Sequence, residues 1–533
     1  MTDPKVKPLV QPEQHAGSFA GGSTARRGWT LFVACAGVSL VIASMIALNT
    51  ALSDIAAATS ATQTQLAWVV DSYTLVLACL LLPAGAIGDR YGRRRALLVG
   101  LAIFAVASFA PLIFASPLQI IVARGFAGAG AAFVMPATLS LLTTVYPPDD
   151  RTKAVGIWAG VAGSGGVVGL LGTGVLLHFW QWQSIFWTLG GCGVVLVLLA
   201  LTIAESRKGD APPLDRAGAV TIGAAVAVFV FGILQAPTHG WTNPRVYGCL
   251  IGGAVLAVVF GLVEPQRRQS LLDVRLFLNP DFGTGAAAIT VVFLATFALF
   301  YLIAQYIQQV LGYSALQTAF ALSPLALPLL TFSVLSPWYL PRLGLRTVIF
   351  AAMLLVSIGF LCMRTLGPHA SFFDLFWPQL VISSGFGLCT APTTSAIMSA
   401  APDEKQGVAS AVNDATREVG GALGVALAGS ILAGSYSHHI TAGLTAFPSG
   451  VRGPASDSLT HALAIANQLG PQGNQLVEVG KNAFVAAMNS SFLAMAAVVG
   501  IAAVVVPLFA PGRDGEQLRA VRRLRRFLDS DRS

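Results

Sequence analysis

Fourteen apolar runs fill most of this 533-residue chain, and each is long enough to cross a ~30 Å hydrocarbon core as a helix. They lie at about 30–52, 66–88, 96–116, 118–142, 154–177, 184–204, 216–236, 245–264, 283–305, 317–340, 347–366, 374–398, 408–434 and 482–508. Only 11% of the residues are charged and 55% are hydrophobic, whereas soluble domains carry about 25% charge. The chain therefore reads as an all-α polytopic membrane protein, not a soluble domain on an anchor. Residues 1–28 are polar and loosely basic (Lys5, Lys7, Arg26, Arg27) and read as a disordered tail. The first apolar run is too long for a cleavable signal and more spans follow. The six cysteines lie inside apolar runs without CxxC spacing, and the histidines fall in the N-terminal tail or at helix ends, so no metal site is expected.

Charge orients the spans. Of the 32 Lys+Arg, 26 fall in the tails and in loops on one side, with Arg245, Arg452 and Lys481 opposite. By the positive-inside rule the basic side and both termini are cytoplasmic, in a cell membrane. The basic segment Arg519–Arg526 within the tail 509–533 obeys the same rule. Residues 435–481, rich in Gly, Ser, Pro, Ala and His, read as one long external loop.

The chain repeats itself. Gly125-Phe126, Pro136-Ala-Thr138 and Pro148-Asp149-Asp150-Arg151 return as Gly385-Phe386, Pro392-Thr-Thr394 and Pro402-Asp403-Glu404-Lys405, about 254–260 residues later. The loop Asp89-Arg90-Tyr-Gly92-Arg93-Arg94 has a fainter copy in Pro341-Arg342-Leu-Gly344-Leu-Arg346. Two parallel halves follow: a six-helix bundle at 29–206, a two-helix insert at 207–270, and a second six-helix bundle at 271–508. Repeated halves around a midplane cavity are a transporter architecture.

Within the first loop, Gly85 and Gly88 should let span two approach span eleven closely. Asp89 stands where a helix N-terminus or an arginine could meet it, a contact of about 0.3–1 kcal/mol when exposed and more when buried. Such a contact can latch one conformation and still release it. Ionisable groups inside spans are functional candidates because burying them is costly. Asp71 and Arg124 lie at similar depths, about 8 Å in, and could pair or carry a proton between them. Asp414, Arg417 and Glu418, spaced i, i+3, i+4, share one helical face with a formal excess of negative charge. That face suits a protonatable carboxylate, a site attractive to cations, or a self-neutralised gate network at the inner rim. Trp68, Tyr73, Phe297, Tyr301 and Gln305 are candidate cavity residues, though side chains of these types in spans more often pack helices than meet a ligand.

Gly85-x-x-x-Asp89-Arg90-x-Gly92-Arg93-Arg94 resembles the signature loop of the major facilitator superfamily. Arg124-x-x-x-Gly128-x-Gly130 and Gly165-x-x-x-Gly169-Leu-Leu-Gly172-Thr-Gly174 resemble the span-four and span-five motifs of its proton antiporters. Asn49-Thr-Ala-Leu-Ser-Asp54 with Trp68 and Tyr73 is similar to its fourteen-helix drug:proton antiporter branch. The resemblance covers about 30–508. It implies proton-driven export of amphipathic or cationic drugs, dyes or antibiotics, with Asn49 added to the cavity and Gly165, Gly169, Gly172 and Gly174 packing helices. It also implies a monomer that needs a bilayer and a small-molecule substrate, and neither nucleic acid nor any cofactor besides the proton gradient. Two positions depart from the family pattern: Ser44 stands where span one usually has an acid, and Leu170 where span five usually has Pro. The same fold could instead export a lipid, peptide or metabolite, or serve as a transport-inactive sensor. No GxxxxGK[ST] phosphate loop occurs for ATP-driven transport, and no transmembrane histidine cluster for a membrane enzyme.

Overall fold

A computed structural model describes residues 24–113, 116–206, 215–267, 271–470 and 473–518. Most of the N-terminal tail, the linker 207–214 and the basic stretch from Arg519 lie outside them. All fourteen expected spans are present as long apolar helices.

The first bundle comprises α1 (Thr24–Ala47), the short α2 (Leu52–Thr59), α3 (Gln63–Tyr91), α4 (Arg93–Ile113), α5 (Pro117–Val145), α6 (Pro148–Phe179) and α7 (Gln183–Ala200). The insert is α8 (Arg216–His239) and α9 (Pro244–Val263). The second bundle holds α10 (Pro280–Gln305), α11 (Ala315–Leu322), α12 (Ala326–Val334), α13 (Ser336–Met363), α14 (Phe372–Ala400), α15 (Gln406–Gly443), α16 (Ser449–Asp457), α17 (Leu459–Gln468) and α18 (Gly473–Phe509). Capping boxes start α3 (Thr62 with Gln65), α5 (Ser116 with Gln119), α11 (Ser314 with Gln317) and α14 (Ser371 with Asp374), so chain entry at the end remote from the arginines is defined locally.

The tenth span is made of α11, α12 and the first turns of α13. Helix α13 bends at Gly344, whose φ of 77° only glycine adopts freely, as does Gly92 with φ 111° between α3 and α4. These matched glycines turn the chain at the same place in each half. Arg94 then donates to the Ala200 and Leu201 carbonyls at the end of α7, and Arg346 donates to the Ala510 carbonyl just past α18. The sequence repeat thus encodes one joint used twice: a glycine turn, and an arginine two residues later that satisfies the open carbonyls ending the sixth helix.

Segment 435–481 is not the loop its composition suggests. Helix α15 runs 38 residues, about 57 Å at 1.5 Å per residue, and so continues well past the hydrocarbon. The short helices α16 and α17 pack against the outer ends of α15 and α18, with Tyr436 donating to the Ala455 carbonyl. Hydropathy marks only the bilayer part of such a helix, because beyond the lipid it need not be apolar.

One apolar core runs through the first bundle and on into Ile397, Met398, Val408, Ala411 and Val412 of the second; a second core fills the remainder of the second bundle. The two halves are therefore welded at the end that carries the arginines.

Candidate functional site

At that welded end α3 crosses α15 through glycines. A Cβ on Gly85 would lie 2.4 Å from the Gly407 carbonyl oxygen, and one on Gly407 would lie 2.6 Å from that of Gly85. Gly85 therefore admits the thirteenth span rather than the eleventh, and Gly88 meets only Ala96 of its own loop region. The approach places the Asp89 carboxylate at the first turn of α15. It accepts from the backbone N–H of Gly407 (2.8 Å) and of Val408 (3.0 Å), and from Arg93 Nη2 (2.9 Å) and Nε (3.2 Å). Arg93 is itself buried and also donates to Thr144 Oγ1 and to the Asp403 carbonyl. Both partners expected for Asp89, a helix N-terminus and an arginine, are engaged at once. Arg90 lies against the Tyr91 ring instead. Arg94 and Arg95 meet Glu205, a carboxylate that sequence reasoning passed over.

The crossing has an uncharged counterpart. A Cβ on Gly156 of α6 would lie 2.5 Å from the Ser333 carbonyl and 2.9 Å from Ser336 Oγ, across the same end of the bundle. Arg151 adds a 3.5 Å contact to Asp403 on the surface.

The polar cluster of α15 lies deeper along the same helix. Gly407, Ala411, Asp414 and Glu418 follow the 4-3-4 spacing of one helical face, and Gly407 and Ala411 are the residues that meet Gly85. The two acids therefore point toward the seam between the halves. Asp414 is fully buried, with Oδ1 accepting from Asn413 Nδ2 (3.1 Å) and Oδ2 without a hydrogen-bond partner. Arg417 is 1% exposed; Nη2 donates to Thr394 Oγ1 (3.0 Å), while Nε and Nη1 have no partner. Its guanidinium lies 5.1 Å from the Trp158 ring of the first half and 4.9 Å from the Phe293 ring of the second. The repeated threonines flank this contact: Thr138 accepts from Trp158 Nε1 (3.2 Å), and Thr394 joins Arg417 to Asn413. Trp158 and Phe293 were absent from the expected site, but the Thr138/Thr394 repeat was a visible signal for it.

Asp71 and Arg124 do not pair. Arg124 is buried over the Tyr73 ring (4.2 Å) and donates to Ser44 Oγ (2.9 Å), to the Ser44 carbonyl (3.1 Å) and to the Val69 carbonyl (3.3 Å). Tyr73 is buried too, donating to the Val41 carbonyl, so it supports Arg124 and lines no open cavity. Asp71 precedes Tyr73 by two positions, about 200° around the helix, and so faces away from Arg124. Ser44, at the position of the missing acid, is the residue that receives Arg124. Among the described residues neither Arg124 nor Arg417 forms an ion pair.

The antiporter-type glycines divide. Gly165 and Gly169 press α6 onto Ile42 and Ala43 of α1, Gly174 onto Leu316 of α11, and Gly172 meets nothing within 4 Å. On α15, Gly420 and Gly424 rest on the Thr290 and Leu294 carbonyls of α10. Of the remaining candidates, Asn49 is exposed and bonds its own turn at Ile46. Trp68 stacks on Phe231 of α8. Phe297 and Tyr301 lie against Gly421 and Gly429 of α15, and Gln305 donates to the Tyr301 carbonyl.

Residues 31–425 match the Major Facilitator Superfamily. Multidrug resistance protein Stp of Mycobacterium tuberculosis is 30% identical over 76% of this chain and 75% of its own length. Multidrug efflux pump LfrA of Mycolicibacterium smegmatis is 30% identical over 90% of this chain and 97% of its own. The crystal structure of the human organic anion transporter MFSD10 has the same fold, with a TM-score of 0.58 at 13% identity, covering 90% of this chain and 99% of that one.

Proposed function

The chain belongs to the major facilitator superfamily, and we propose that within it this protein is a proton-driven exporter of amphipathic, often cationic drugs, dyes or antibiotics. The observation that carries the reading is the Asp414–Arg417–Glu418 cluster, buried at the seam with two acids to one base. A proton on either acid leaves the cluster neutral, and an organic cation in the seam restores neutrality without that proton. Loading cargo and releasing the proton are then alternatives at one place, which is what antiport requires. Relatives named for multidrug resistance and efflux support the cargo class. The basic end, with both termini, is taken as cytoplasmic in a cell membrane, so the closed Asp89 latch bars return to the cytoplasm. We take the working unit as a monomer.

A second reading keeps the fold and changes the cargo to a lipid, peptide or endogenous metabolite. Ser44 favours it, because a buried Arg124 without a carboxylate is unlike the usual span-one arrangement.

Expression in an efflux-deficient host should lower dye accumulation, and dissipating the proton gradient should remove the effect. Glu418→Gln, at unchanged expression, should abolish gradient-driven export. Unchanged accumulation across a broad panel rejects the drug reading, and normal export by both Glu418→Gln and Asp414→Asn rejects the proton site. Proton release on adding lipids or drugs to purified protein separates the two cargo classes.

A further inference from the structure

The inserted pair belongs to neither bundle, yet α8 touches both. Its Gly223 lies so close to α3 that a Cβ would sit 2.9 Å from the Cys79 carbonyl. Just beyond its far end, Trp241 Nε1 donates to Ser430 Oγ of α15 (2.9 Å). Helix α9 packs on the opposite side of α8, at Phe229 and Gly232, and is the least buried of the spans. Helix α8 is therefore a wall drawn across the seam from α3 to α15, with α9 behind it.

What lies inside that wall follows from the phase of α3. Asp71, Ala78 and Gly85 repeat at seven residues and share one stripe. The Gly85 end of the stripe touches α15, so Asp71, about 21 Å further out, faces the seam as well. Asp71 is half-buried, and among the described residues its carboxylate forms no ion pair. Trp68 lies one turn before it and stacks on Phe231 of α8, with ring centroids 6.0 Å apart at 28°. Both rings are only half-buried. An aromatic shelf thus stands beside an unpaired carboxylate, and half of the shelf comes from the insert.

We propose that Phe231 is a specificity-determining residue of the cargo path: with Trp68 it makes the aromatic surface on which a flat organic cation lies while Asp71 meets its charge. The assignment rests on the export reading above and adds to it. A compact aliphatic ammonium uses Asp71 and one ring face, whereas a planar aromatic cation spans both rings. The insert then does more than fill space between the halves; it sets which cations are preferred.

The test is KM and kcat in proteoliposomes of the full chain, with ethidium as the planar cation and dodecyltrimethylammonium as the aliphatic one. Phe231→Leu keeps apolar volume and removes the ring, so KM for ethidium should rise about tenfold with kcat kept, as expected for one lost ring–cation contact. KM for dodecyltrimethylammonium should stay within about twofold, because its compact head needs only one aromatic face beside Asp71 and Trp68 still supplies it. Phe231→Tyr should restore the wild-type ratio. Equal changes for both cations, or no change for either, overturn the assignment while leaving export intact. Failure of the wild-type chain to move either cation overturns the export reading itself and the selectivity with it.

Discussion

Replacing Asp89 by Asn changes one atom and tests the latch. The carboxylate accepts from two backbone N–H groups of α15 and from two nitrogens of Arg93. The amide keeps one acceptor oxygen and turns an N–H group toward donors that need an acceptor. At least one of its two bonds across the seam is lost, with the anion at the helix N-terminus; the Arg93 fork also weakens, but Arg93 lies four residues on in the same half, so that loss falls on closed and open states alike. Hydrogen bonds to charged groups contribute about 1.5–3 kcal/mol each, and an anion at a helix N-terminus up to ~2 kcal/mol. A net loss of about 3 kcal/mol is a fair sum, given that the amide still accepts one bond. At 1.4 kcal/mol per factor of ten, the closed-to-open ratio at this end should fall about a hundredfold. Spin labels at Asp149 and Pro402, both exposed and on opposite halves, read the change by pulsed dipolar spectroscopy. The distance distribution should gain a longer component in Asp89→Asn and not in Arg95→Ala, whose side chain is 65% exposed. An unchanged distribution in Asp89→Asn, with the protein folded, would refute the latch.

Gly424→Ala should cripple folding, because its Cβ would lie 2.1 Å from the Leu294 carbonyl, whereas Gly172→Ala should be neutral; overpacking of this kind costs about 1–3 kcal/mol or more. Detergent-solubilised yield and Tm check both. Ser44→Ala strands the Nη1 donor of buried Arg124, a loss of about 1–3 kcal/mol, and should lower Tm by several degrees; an unchanged Tm would mean Arg124 does not depend on Ser44. Gly344→Ala forces an alanine into backbone space open essentially to glycine (φ 77°, ψ 156°), costing about 1–3 kcal/mol, and Gly92→Ala (φ 111°, ψ 132°) should match it if the two joints are equivalent.

The fourteen spans were readable because bilayer thickness fixes the length of an apolar helix, and the repeat was readable because its loops match in order. What failed did so for identifiable reasons. The depth of Asp71 and Arg124 follows from counting residues, but whether they meet depends on azimuth, and Tyr73 with Ser44 holds the arginine on the other side of α3. Similarly, the i, i+3, i+4 spacing put Asp414, Arg417 and Glu418 on one helix face, yet no local pattern announces that Trp158 and Phe293 sandwich Arg417. Those rings come from α6 and α10, and their placement is tertiary. The helices α16 and α17 within 435–481 were hidden because they are only 9 and 10 residues long, too short to read as spans, and burial of Leu459, Ala462 and Ala466 against neighbours decides the outcome.

The two halves keep the joint but not the Asp89 contact, and on the proposed latch reading that difference is mechanically useful. Gly92 with Arg94 and Gly344 with Arg346 do the same work, but the position matching Asp89 is Pro341, and its neighbour Arg93 is matched by Leu345. The α6 crossing at Gly156 meets Ser333 and Ser336 with no charge. Had both crossings carried a carboxylate worth about 3 kcal/mol, opening this end would oppose about 6 kcal/mol, roughly a ten-thousandfold bias. A ligand can shift an equilibrium only by its differential affinity for the two states, and a bias of that size needs a ten-thousandfold difference. One carboxylate leaves about a hundredfold, within the reach of a single charged group binding or leaving at Asp414 or Glu418. Those acids lie on the same face of α15 as Gly407, whose N–H Asp89 holds. On the proposed export reading, a charge change there acts on the helix that Asp89 grips, so the closed state can be strong enough to bar return and weak enough to be released once per cycle.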